Sequence, residues 1–178
     1  RTGIGLITTG RHRTITKEIY DMIITANSDF VPHPEADCIG VCVDITPPKT
    51  LDSSFGAKEK FKAVFETEVI RDDGRPFLVW SPPFTQSLHE KSGFRGFIRS
   101  WFGQDLTEKE LNGGFDTEAL IGRTARLSVI HVGHNGNIYA NIGLIRPQSP
   151  DDPPLPSTGN YIRVKDRERD QNLRKSGD

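Results

Sequence analysis

Apolar positions in the middle of the chain fall into two patterns, one of period two and one of helical period. Residues 37–46 form an apolar, β-branched run that stops at Pro47-Pro48, which predicts a first strand. After a loop from Leu51 to Ala57, Phe61, Ala63, Phe65, Thr67 and Val69 alternate with Lys60, Lys62, Val64, Glu66 and Glu68. That alternation predicts a strand with one face in a core and the other polar. Asp72-Asp73-Gly74 predicts a hairpin turn, since glycine supplies the positive φ such turns need. Phe77–Trp80 is then the return strand, closed by Pro82-Pro83. Thr124–Val132 and Ile138–Ile145 flank Asn135-Gly136, the strongest turn signal in the chain, and predict a second hairpin.

Between the hairpins the period changes. Ser87-Leu88-His89-Glu90 has the spacing of a capping box. Phe94, Phe97, Ile98, Trp101 and Phe102 follow at helical spacing, and Gly103 suits the position just past a helix end. Gly93 and Gly96 argue against a continuous helix, at about 1 kcal/mol each relative to alanine, and favour a start at Ser92. Thr107 to Glu110 offers another capping box, and Asp116 to Ile121 a short helix ended by Gly122.

The order strand–strand–strand–helix–strand–strand predicts a mainly β fold. It is an OB-fold-like five-stranded Greek-key barrel over residues 36–147, with one main helix and extended tails. An SH3-like or other small barrel is the alternative. Residues 1–35 read as an N-terminal arm or extension, with a helix from about Thr16 to Thr25 carrying Ile19, Tyr20, Ile23 and Ile24 on one side. Residues 148–178 read as a Pro-rich linker and a charged C-terminal tail with little to bury.

Charge changes the picture little, because 23 Lys+Arg against 24 Asp+Glu leave a net charge of -1. A nucleic-acid site would have to come from local clustering. No apolar run approaches the roughly 20 residues a membrane span needs, so no membrane partner is expected. The chain starts at Arg1 rather than methionine, so a segment upstream of it, a signal peptide included, stays open. Cys38 and Cys42 point to one face of the first strand, roughly 13 Å apart, where a disulfide needs about 6 Å. Two structural thiols and a reducing, cytoplasmic compartment follow. The same separation keeps both thiols off one tetrahedral zinc, even with His131 and His134 added, so neither a metal nor another cofactor is expected.

Catalytic signatures are missing: no phosphate loop, no Gly-x-Ser-x-Gly and no His-Glu-x-x-His. Asp72-Asp73 and Asp151-Asp152 fit turn and linker chemistry better than a two-metal nuclease, and Glu90 beside His89 is explained by capping. The chain reads as a binding protein, not an enzyme.

Several short segments resemble a known family. Ser87-Leu88-His89-Glu90-Lys91-Ser92, Trp101-Phe102-Gly103, Phe115-Asp116, Ala119-Leu120-Ile121-Gly122 and the closing hairpin through Ile142-Gly143-Leu144-Ile145-Arg146-Pro147 are similar to phage and prophage OB-fold proteins. Members of that family bind single-stranded DNA or assist replication and recombination. Arg123 keeps their basic residue after the Leu-Ile-Gly, whereas Gly93 and Gly96 interrupt a helix usually rich in leucine and lysine. The resemblance spans residues 36–147. It implies a single-stranded nucleic-acid partner, other replication or recombination proteins or self-association as further partners, and the host cytoplasm as location.

Physically, such a site needs cations along a backbone path and aromatic faces for bases. Lys60 and Lys62 lie on the polar face of the second strand, with Lys58 just before them, and Trp80 is out of phase with Phe77 and Val79. Phe84 follows in a Pro-rich loop, and Arg126 and Tyr139 are out of phase with the apolar sets of the last hairpin. Lys91, Arg95 and Arg99 recur every four residues and would make one basic stripe on a helix. The competing function is an OB-like protein-interaction subunit that binds no nucleic acid, with Tyr161–Val164 as a docking strand.

Overall fold

The computed structural model describes residues 31–51, 56–134 and 136–175; the helix expected at Thr16–Thr25 and Asn135 of the second turn lie outside them. In chain order the elements are β1 (Ala36–Ile45), β2 (Lys49–Leu51), β3 (Lys58–Phe61), β4 (Ala63–Ile70), β5 (Pro76–Trp80) and β6 (Phe84–Thr85). Then come α1 (Gly93–Phe102), α2 (Glu108–Gly113), a 3-10 turn (Thr117–Leu120), β7 (Thr124–His134), β8 (Asn137–Arg146) and α3 (Val164–Lys175). The fold is mainly β.

Five strands pair in the order β1-β4-β5-β8-β7, and β7 pairs back to β1, Ala36 opposite Val129. Every pairing is antiparallel except β5 with β8, which is parallel and made at the Trp80–Asn141 pair. Both expected hairpins form, Gly74 and Gly136 taking φ of 79° and 78°. Gly40 of β1 sits where an added Cβ would stand 2.5 Å from the Leu127 Cδ1, so any side chain there would force the buried Leu127 to shift.

The long second strand read from the sequence divides at Lys62. Thr46 takes both backbone groups of Lys62: its N–H donates to the Lys62 carbonyl, and its hydroxyl accepts from the Lys62 N–H, each at 2.9 Å. Lys58–Phe61 therefore leaves the ring and joins a small sheet of order β2-β3-β6. Residues 49–51, which end where the expected loop begins, and the Pro-rich loop at Phe84 supply its other strands.

Inside, the even rhythm of the ring strands packs against the helical face of α1, which buries Phe94, Phe97, Ile98 and Trp101. Trp101 lies tilted against Phe65, ring centres 5.1 Å apart, and donates its indole N–H to the Thr124 carbonyl at 2.8 Å. The helix starts at the Ser92 cap, whose side chain accepts from the Arg95 N–H. The expected cap at Ser87–Glu90 does not form, because Ser87 instead accepts from the His89 N–H in a turn. The helix also runs through Gly96, since burial of four large side chains outweighs a cost of about 1 kcal/mol. The Thr107–Glu110 capping box is present. Cys38 and Cys42 are free, buried thiols, and burial pushes them up to about 11 and about 12. Among the described residues no helix is long and apolar enough to cross a membrane.

Residues 148–164 depart most from expectation. Composition marks them as linker and tail, yet they lie along the ring. Gln148 bonds the Thr124 hydroxyl, and Leu155 and Tyr161 pack against the buried valines of β1 and β4. The residues beyond form α3. Intrinsic propensity undervalues such a segment, because its few apolar groups are stabilised only by the sheet they meet.

Candidate functional site

The outward faces of the ring strands make two different surfaces. In the second half of β1 and the first half of β4 the outward side chains Val41, Val43, Asp44, Val64 and Glu66 are all buried, while Asp37, Glu68 and Ile70 farther along the same face are exposed. Glu66 accepts from the backbone N–H and the hydroxyl of Thr158, at 2.8 and 2.9 Å. Asp44, fully buried, accepts from the Tyr161 hydroxyl (3.2 Å), the Arg163 Nε (2.9 Å) and the Val164 N–H (2.8 Å). Arg163 turns its two terminal nitrogens to Glu118 at 2.5 and 2.8 Å, and Lys165 adds a longer contact to the same carboxylate. The Arg163 hydrogen bonds hold the Glu118 carboxyl down at about 2, and burial pushes the Tyr161 hydroxyl up. An expected polar face is thus sealed by the chain's own C-terminal segment.

On β5, β8 and β7 the outward face stays open. Trp80 pairs with Asn141, Tyr139 pairs with Val132, and Ile130 pairs with Asn141 across the hairpin, so these side chains share one face. Leu78, Tyr139, Val132, Ile130 and Leu144 are large, apolar or aromatic, and exposed. Trp80 marks the seam between the two surfaces: it packs against Val41, Val43 and Val64 yet stays partly exposed.

The small sheet carries the cations. Lys49 stands directly opposite Lys60, and Lys58 lies two residues along on the same face. Like charges in such a pair repel unless an anion comes between them. Glu168 of α3 reaches Lys49 at 2.8 Å, whereas Lys58, Lys60 and Lys62 have no ion-pair partner among the described residues. Beside this hairpin a cleft of about 520 Å³ is floored by Phe61, Phe94 and Phe115 and edged by Pro48, Glu118 and Lys165.

Of the residues chosen from sequence, Lys58, Lys60, Lys62, Trp80 and Tyr139 face outward as expected. Phe84 does not; it is buried in β6 against Phe61, Phe94 and Phe97 and offers no face for a base. Arg95 is held by Asp105 (2.9 and 2.8 Å), and Arg126 by Asp152. Lys91 is exposed but precedes α1, so the basic stripe shrinks to Arg95 and Arg99, the first of them already paired. Sequence reasoning missed Asp44 and Glu66. Asp44 gave a signal: a charge inside an apolar strand demands a partner from elsewhere in the chain. Tyr161–Val164 does dock, but on its own sheet. Among the described residues no group of three His, Cys, Asp or Glu is placed to hold a metal ion; the His134 side chain lies outside them. No protein-family model matches the chain, and no curated protein matches it.

Proposed function

We propose that the five-stranded ring is an OB-type barrel and that it binds single-stranded nucleic acid, DNA by preference, without catalysing a reaction. The strand order, the parallel β5–β8 pair and the helix between the third and fourth ring strands support the fold reading. One observation carries the function. Trp80 and Tyr139 lie on adjacent strands of one open face, and three lysines share one face of the β2–β3 hairpin, which pairs with β6, the strand that follows β5 in the chain. Aromatic faces take bases whatever their identity, and lysines take the backbone. A role in phage replication or recombination, in the host cytoplasm, rests on the family resemblance of residues 36–147.

The test is fluorescence anisotropy with a labelled single-stranded oligonucleotide at two salt concentrations. Affinity is expected to fall steeply with salt and to drop on K58A/K60A. Absence of binding, or binding indifferent to salt, refutes the proposal. A second reading, a protein-interaction subunit, is favoured by the exposed Ile130, Val132 and Leu144. It predicts co-purification of a partner and no oligonucleotide binding.

A further inference from the structure

The C-terminal segment is read from composition as a disposable tail, yet two buried carboxylates depend on it. Asp44 and Glu66 face outward on β1 and β4, and among the described residues the hydrogen bonds to the Asp44 carboxylate come from Tyr161, Arg163 and Val164. Glu66 is bonded by Thr158. With residues 157–178 removed, these two carboxylates and Glu118 would stand bare on the surface next to the lysine hairpin, and a polyanion would be repelled. With the segment in place, Arg163 neutralises Asp44 and bridges to Glu118. The segment also brings cations of its own: Lys165 edges the cleft, and Arg167 lies over the Tyr161 ring, 5.0 Å from its centre. Glu168 of α3 meanwhile reaches Lys49 of β2 in an exposed ion pair at 2.8 Å.

We infer that the segment from Thr158 to Arg167 is a working part of the nucleic-acid face: it masks Asp44 and Glu66, and Lys165 and Arg167 extend the path begun by Lys58 and Lys60. This rests on the nucleic-acid reading above. The contrary role, a strap that covers the site and lowers affinity, is the outcome that would overturn it.

The experiment compares oligonucleotide binding by the intact chain, a chain ending at Pro156, and that shortened chain carrying D44N/E66Q. The shortened chain is expected to bind roughly tenfold or more weakly at low salt, and D44N/E66Q to restore much of the loss, because the repelling charges are gone. Equal or tighter binding by the shortened chain, or no recovery with D44N/E66Q, overturns the inference while leaving the nucleic-acid reading in place. No binding by the intact chain overturns that reading itself. Should the shortened chain fail to fold by circular dichroism, K165Q/R167Q in the intact chain decides. Each lost phosphate contact flattens the salt dependence by roughly 0.7 for single strands, so a slope shallower by roughly 1.4 is expected and an unchanged slope refutes.

Discussion

Around Asp44 and Glu66 the outward side chains of β1 and β4 are three valines and two carboxylates, and residues 155–164 lie over them; on β5, β8 and β7 they are Leu78, Trp80, Tyr139, Ile130, Val132 and Leu144, largely open to solvent. The two surfaces belong to one ring and have similar local sequence rhythm. What differs is the chemistry that each can leave in water. A buried carboxylate must be partnered, so the first surface recruits its own chain. Exposed apolar and aromatic groups cost little singly and gain by meeting a ligand, so the second surface stays available. A face that looks polar in sequence is therefore the one that the chain's own C-terminal segment partly covers.

The comparison breaks first at Arg163. R163Q leaves Asp44 buried with its charge uncompensated, and a loss of about 3 kcal/mol is expected in urea unfolding, with D44N in the same chain recovering part of it. Stability unchanged by R163Q would mean that the first surface is not sealed by this pair. Trp80 comes next, because it serves both surfaces: W80A should cost about 2 kcal/mol of stability from lost packing and also weaken oligonucleotide binding. Tyr139 belongs to the open face alone. Y139A should shift the unfolding midpoint by less than about 0.5 kcal/mol while weakening binding by about 1 kcal/mol or more. If stability moves and binding does not, the two surfaces are not distinct.

The smallest effect is that of acid. Glu118 has its pKa lowered from 4.5 to about 2, so its contribution to holding Arg163 is complete above pH 4.5 and is lost as pH falls toward 2. The Glu118 side chain is half exposed, which keeps that contribution small. Amide exchange at Val164 and Lys165 should quicken over that interval relative to the ring strands, and E118Q should remove the difference. Exchange that is flat between pH 4.5 and 2 would break the expectation.

Much of the ring was legible in the sequence. The two glycine-centred turns, the alternation from Phe61 to Val69 and the helical spacing from Phe94 to Trp101 are local patterns, and local geometry enforces them. The division at Lys62 was not legible, because it depends on Thr46, sixteen residues away in sequence, taking both backbone groups of one residue. Of the candidate site, Trp80 and Tyr139 were visible from phase alone. Phe84 was read as a loop residue, and Arg95 and Arg126 from their spacing and phase; none of these readings says what waits beside the side chain. Aromatic packing took the first, and Asp105 and Asp152 took the other two.

By itself the sequence determined the class of fold and the direction of most side chains, since strand and helix periods and glycine turns depend on neighbours a few residues apart. Only the tertiary structure decided which outward face is free. That choice turns on contacts between residues more than a hundred apart, Asp44 with Tyr161, Arg163 and Val164, where the need to partner a buried charge outweighs the weak local preference of a proline-rich tail to remain extended in water.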